Sequence, residues 1–219
     1  MPITRTATHM TQTASTAPTV HDVVIEAFAR RDHAGRALAD DAENIARTCQ
    51  AMAVRFRRGG KLIVFGSGGA GTDAAHIAVE FMHPVIVGKR ALAALALSND
   101  AATVSGVCGE EGVAEAFAHQ LRCWAAPSDI ALGVSRDGRC ASVVRGLEVA
   151  GELGLLTVAL VGGDGGTIAR NRTADHVLVA AADDPTVVKE VHVTTYHLLW
   201  ELVHVFFDQP GLLANGGAR

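Results

Sequence analysis

His76 and Glu80 stand four residues apart, one turn beyond the glycine-bearing stretch Gly66-Ser67-Gly68-Gly69-Ala70-Gly71. On a helix this spacing puts an imidazole and a carboxylate on one face, able to converge on a metal ion or a substrate hydroxyl. By itself the pair describes a surface ion pair before it describes a site. Its place shifts that balance, because a glycine turn running into a helix N-terminus offers backbone amides to an anion. A second imidazole, His197, lies in a late helical stretch amid Val191, Leu198, Leu199 and Leu202, where a core or interface histidine is the ordinary reading.

The same glycines, Gly66-x-Gly68-x-x-Gly71, spell the dinucleotide fingerprint in the order strand, loop, helix. A dinucleotide site also needs an acidic residue roughly 20 positions further on to hold the ribose. Glu80 falls too early for that, inside the helix, and Asp100 too late. A tight turn with no ligand explains the glycines equally simply, and no nucleotide cofactor is expected.

The elements that position these residues follow from periodicity. From Asp22 to Arg58 apolar residues recur every three or four positions, which predicts two helices. Beyond Gly59-Gly60 come short apolar blocks at 62–65, 94–98, 130–134, 155–161 and 176–180, separated by amphipathic stretches. Blocks apolar on both faces read as central strands of a parallel sheet joined by right-handed crossovers. The predicted fold is α/β, a doubly wound five-stranded parallel sheet in a flavodoxin-like sandwich with N-terminal helices. A last helix is predicted from Thr186 to Phe207. Residues 1–20 read as a loose tail, 21–210 as one domain including an N-terminal helical hairpin, and 211–219 as a second tail. In such sheets ligands gather at the carboxyl ends of the strands, so the loops at 66–72, 98–112 and 135–142 are the candidates.

Bulk composition narrows the partners. With 219 residues, 19 Lys and Arg against 23 Asp and Glu, and a formal net charge of -4, the chain lacks the basic surface that nucleic acid demands. The four cysteines, Cys49, Cys108, Cys123 and Cys140, form no C-x-x-C pair and suggest reduced thiols in a cytoplasmic protein. Cys108 and Cys140 are expected to be small buried apolar residues. No apolar run is long enough for a bilayer, and no membrane partner is expected.

Four segments carry a family resemblance: GSGGAGTDAAHIAVEF, LALSND, DIALGVSRDGRCASVVRGLEVAGELGLLTVALVGGDGG and KEVHVTTYHLLWELVHVFF. In one register from about residue 22 to residue 207 they resemble sugar isomerase (SIS) domains, and most of all phosphoheptose isomerases. The resemblance implies a phosphorylated sugar as ligand and aldose–ketose isomerisation through an enediolate. It makes Glu80 the base and His197 the complementary acid. It places Ser67, Gly68, Gly69 and Ser135 around the substrate; Asn99 and Asp100, after the second strand, are candidates to meet sugar hydroxyls, and Arg136 and Lys189 to meet its charge. It implies a homotetramer with sites completed between subunits, and in metal-bearing members a zinc ion on four ligands.

Three of those ligands match, His76, Glu80 and His197, but Lys189 stands where a glutamine is expected. An ammonium repels a dication, so zinc binding is expected to be weakened or lost, with Lys189 pairing with Glu80 and stabilising an oxyanion. The hydroxyl-rich phosphate turn is also altered. It reads Ser135-Arg136-Asp137-Gly138-Arg139-Cys140, and Ala70 replaces the serine expected in the first loop. Arg136 or Arg139 can supply charge instead, while Asp137 reads equally as a helix N-cap. Asp100 reads most simply as an N-cap, and His192 and His204 as facing a helix or subunit contact. Two functions therefore stand side by side: a phosphosugar isomerase, or a non-catalytic SIS protein that senses a sugar phosphate or binds another protein, as the initiator-binding protein of bacterial replication does.

Overall fold

The computed structural model describes residues 18–209 and residue 211, so the remainder of the two predicted tails lies outside the described residues. Helix α1 (Val20–Asp40) starts directly after Thr19, whose hydroxyl accepts from the Asp22 amide in a reciprocal capping box. Only Asp41 separates it from α2 (Ala42–Arg57). The sheet then alternates with helices: β1 (Leu62–Gly66), α3 (Gly69–Met82), β2 (Ala94–Ala96), α4 (Ala101–Glu110), α5 (Glu115–Trp124), β3 (Ile130–Ser135), α6 (Ala141–Glu152), β4 (Leu156–Gly162), α7 (Gly166–Asn171) and β5 (His176–Ala180). Helix α8 (Pro185–Asp208) closes the chain, entered through Asp184 as N-cap and a proline at its first position.

All four strand pairings are parallel and the order is β2-β1-β3-β4-β5. The predicted doubly wound sheet is therefore the observed one. Its strands are apolar throughout because both faces are covered, and successive side chains go to opposite cores. Leu62, Val64, Leu132, Val134 and Leu160 face one core with α2, α3 and α8, built around Met52, Phe81 and Leu199. Ile63, Phe65, Ala131, Ala159 and Val161 face the other with α5 and α6, built around Phe117, Leu121 and Leu147. The predicted strand at 94–98 is shorter than expected: pairing with β1 ends at Ala96, and Leu97–Asn99 form a single 3-10 turn. Asp100 then caps α4, its carboxylate accepting from the Thr103 amide at 3.0 Å.

Helix α8 packs against β4 and β5 and lies beside α3. Within this arrangement the sheet delivers two loops to one seam. The first is the glycine turn before α3, where Gly68 has φ 60, a backbone state that side chains resist. The second is the turn after β3, where Gly138 has φ 67 and sits so close to the Gly165 carbonyl that a Cβ would run into it.

Candidate functional site in the seam between α3 and α8

Helices α3 and α8 run in the same direction along this seam. Nearest the sheet, Asp73 meets Lys189; one turn further along α3, His76 meets Tyr196 and His197; Glu80 follows. Asp73 and Glu80 are separated by roughly 10 Å of helix, so the seam has two ends with different chemistry.

At the far end His76, Glu80 and His197 each point a ligand atom at the others, all within 4.8 Å. His76 Nε2 is 3.2 Å from Glu80 Oε1 and His76 Nδ1 is 2.7 Å from the Tyr196 hydroxyl. An ionised carboxylate only accepts, so Nε2 of a neutral His76 carries the proton and Nδ1 accepts from Tyr196. Tyr196 is buried, and its hydroxyl is pushed up to about 12 by burial and by the negative charges of Asp73 and Glu80. It therefore stays a phenol at neutral pH. The side chain of Glu80 is 13% exposed and that of His76 44%, which leaves the group reachable from solvent. Two imidazoles and one carboxylate at this spacing fit a zinc ion with an open fourth position.

Lys189 does not join this group. Its Nζ is 2.5 Å from Asp73 Oδ1, with the Gly69 carbonyl and Thr72 hydroxyl at 3.4 and 3.5 Å. The expected pairing with Glu80 is corrected accordingly: Asp73, two turns closer to the glycine loop, captures the ammonium. Asp73 is 6% exposed and needs a counter-charge there.

The near end is a cavity of about 500 Å³ lined by Ser67, Gly69, Ser135, Arg136, Lys189 and His192, among others. Four of the predicted substrate residues and the altered lysine thus share one space with His192. Gly68 and Asn99 line a neighbouring cavity of about 420 Å³ that also takes in Ser67. Asp100 lines neither, because its carboxylate is committed to Thr103 through both the amide and the hydroxyl. The N-cap reading is the one that holds.

Three expectations for the loop after β3 change. Asp137 is not the cap of α6: Cys140 occupies that position, and Asp137 Oδ1 instead accepts from the Arg139 amide at 3.0 Å. Both arginines line the cavity, but Arg139 is held by Asp164 through two bonds of 2.7 and 2.9 Å. Cys140 is half-buried rather than fully buried: it packs against the core of α5 and α6 and also reaches the cavity wall. His192 is likewise on this wall, buried, with its Nε2 unpartnered among the described residues, and burial pushes its imidazole below the ordinary histidine range. His204 is held by its own helix and by the loop after α3, with Nδ1 on the Trp200 carbonyl and Nε2 on that of Arg90. Asp73 and Tyr196 were absent from the expectations. Asp73 was accessible in principle, lying three residues before His76 on the same helical face.

Comparison with known proteins places this geometry. Residues 29–162 match the family model described as SIS domain. A phosphoheptose isomerase of Solidesulfovibrio magneticus is 35% identical over 84% of this chain and 88% of its own. One from Crocosphaera subtropica is 34% identical over 75% and 83%. Among solved structures, the phosphoheptose isomerase from Francisella tularensis superposes with a TM-score of 0.79 at 26% identity, covering 86% of this chain and 100% of that one. The enzyme from Neisseria gonorrhoeae gives 0.77 at 26% identity, over 84% and 98%. The chain belongs to the SIS domain family and, within it, to the phosphoheptose isomerase family of enzymes.

Proposed function

We propose that the chain isomerises a phosphorylated sugar between its aldose and ketose forms, with a heptose 7-phosphate as the first candidate substrate. The observation that carries this reading is the convergence of His76, Glu80 and His197 within 4.8 Å, on the same seam as a cavity lined by Lys189 and Arg136. The phosphate goes to that cavity, where the Lys189 ammonium, the Arg136 guanidinium and the first amides of α6 meet it. The open-chain sugar then lies along the seam with its reacting carbons at the far end.

There Glu80 takes the proton from the carbon beside the carbonyl, leaving an enediolate, and His197 as complementary acid returns a proton to the neighbouring carbon. His76 holds the Glu80 carboxylate from one side while Tyr196 holds His76, so the base is oriented before substrate arrives. The same His76, Glu80 and His197 would hold zinc, which when bound supplies a Lewis acid for the carbonyl and its enediolate. Lys189 adds no fourth ligand, and zinc affinity is reduced against a four-ligand set. A homotetramer belongs to the same reading, supported by the apolar residues that α1 leaves exposed, Val24, Ile25 and Phe28.

The reading is tested by incubating the purified chain with a panel of ketose and aldose phosphates and following the product by NMR. Conversion of at least one, abolished by Glu80→Gln, supports it. Binding of a sugar phosphate with no conversion of any would favour the non-catalytic sensor instead.

A further inference from the structure

The loop after β3 becomes α6 at Cys140. Its backbone takes the extended cap conformation, φ -64 and ψ 114, and its carbonyl accepts from the Val143 and Val144 amides at 3.0 and 2.9 Å. The sulfur stands 3.4 Å from Ser142 Oγ, and that hydroxyl is 3.0 Å from Ser67 Oγ. Burial pushes the thiol up, but hydrogen bonds from the Ser142 and Ser67 hydroxyls and from the Val143 and Ser142 amides together outweigh it. The net result holds Cys140 below the ordinary thiol range. Amides at the start of a helix stabilise an anion, and the Cys140 sulfur lies beside them at the edge of the cavity.

A second, independent feature shows that this wall is built to meet something. Ser135 and His192 are 2% and 3% exposed, and Ser135 Oγ and His192 Nε2 have no hydrogen-bond partner among the described residues. Both residues line the cavity that Cys140 lines. Buried polar atoms left unpaired are costly, and a polar ligand in the cavity would pair them. The charged and titratable groups around the same space are Arg136, Asp137 and Arg139 from the loop, Asp73 from α3, and Lys189 and His192 from α8.

The other cysteines provide a contrast. Cys49 is fully buried and its thiol is pushed up to about 12 by burial, which makes it inert. Cys123 is exposed and Cys108 partly exposed, and neither lines this cavity.

We propose that Cys140 is the reactive thiol of this chain, a nucleophile on the wall of the anion cavity that takes small carbon electrophiles adjacent to a carbonyl, and that an anion bound in the cavity shields it. With iodoacetamide the step is a displacement. The thiol gives its proton to water, the sulfur lone pair forms a bond to the methylene carbon, the carbon–iodine bond breaks, and iodide leaves with its electron pair, so no oxidant or reductant is required. The proposal concerns the thiol alone and holds whether or not the chain isomerises a sugar.

The test treats the full-length protein with limiting iodoacetamide near neutral pH and reads the labelling rate of each cysteine by peptide mass spectrometry. Cys140 is expected to react at least about tenfold faster than the exposed Cys123. Ser142→Ala is expected to slow Cys140 at least about threefold while leaving Cys123 unchanged. Because Ser142 is buried, the exposed Ser67→Ala serves as a second variant, with a smaller slowing in the same direction. Inorganic phosphate at tens of millimolar is expected to protect Cys140 and not Cys123. A Cys140 rate equal to or below that of Cys123 overturns the proposal. Equal labelling with and without phosphate overturns the shielding. A protein that labels as expected but converts no sugar phosphate leaves this inference standing and counts against the isomerase reading alone.

Discussion

Lys189 on α8 gives its ammonium to Asp73 on α3 at 2.5 Å, one turn short of His76 and two short of Glu80. The lysine is thereby drawn towards the glycine loop and away from the two imidazoles, and it puts a cation at the loop end of the seam.

Zinc binding follows from this geometry. Purified protein is expected to hold zinc on His76, Glu80 and His197 with an affinity that Lys189→Gln raises by about tenfold, since a neutral amide on α8 can add a fourth ligand. His76→Ala is expected to abolish the binding. Titration against a chelator of known affinity reads both, and a Lys189→Gln protein that binds zinc no more tightly than the parent would contradict the ligand assignment.

Tyr196→Phe isolates the support of His76. The hydroxyl donates to Nδ1 at 2.7 Å from a ring that is otherwise buried. Losing that bond is expected to cost about 1 kcal/mol of stability and to lower kcat several-fold, with KM for the sugar phosphate little changed. Thermal unfolding and steady-state kinetics give the two numbers. A change confined to KM would place Tyr196 in substrate binding instead.

The β3–α6 turn depends on Gly138, whose positive φ and contact with the Gly165 carbonyl exclude a side chain. Gly138→Ala is expected to destabilise the protein by about 1–3 kcal/mol and to weaken phosphate binding, because Arg136 and Cys140 ride on the same turn. Helix α6 depends in a similar way on Gly146, where a Cβ would come within 2.8 Å of Phe65 Cε2.

Acid sensitivity has a defined sign. Burial lowers His192, and also His176, so each is favoured in its neutral form in the folded protein. Their contribution is complete above the unfolded value of about 6.5 and is lost as pH falls through the lower folded value. Glu115, lowered by Arg145 and Arg122, and Asp184, lowered by Thr186, act the same way at more acid pH, below about 4. Melting temperature is therefore expected to fall in two stages on acidification. His192→Gln should remove part of the first stage, and an unchanged first stage would show that His192 titrates alike in both states.

Assembly is the remaining expectation. Val24, Ile25 and Phe28 on α1 are 47%, 55% and 65% exposed, a run of apolar surface that a second copy would cover. Light scattering at micromolar concentration is expected to return an oligomer, and a monomer would contradict the tetramer.

The sheet was legible because its physics is local. Five apolar blocks bounded by turns admit few arrangements, and LIVF at 62–65 and HVLVA at 176–180 became strands almost to the residue. The His76–Glu80 pair was legible for the same reason, since helical spacing alone puts both on one face. What escaped was long-range. Nothing in the local sequence joins Lys189 to Asp73 across 116 positions, or places Tyr196 over His76 across 120. Cys140 was half legible: it packs against the core as a small apolar residue does, but as the cap of α6 it also reaches a cavity wall. Strand 94–98 was overextended because its apolar residues continue into Leu97, whose side chain serves the core from a 3-10 turn.

Glu80 as the carbon base is the central claim, and proton–deuterium exchange tests it most directly. Ketose phosphates are incubated in deuterated water with the parent protein and with Glu80→Gln, and label at the carbon beside the carbonyl is followed by NMR. Exchange with the parent that disappears in Glu80→Gln is the predicted result. Exchange that persists in Glu80→Gln, or none with the parent on any phosphorylated sugar, would contradict it.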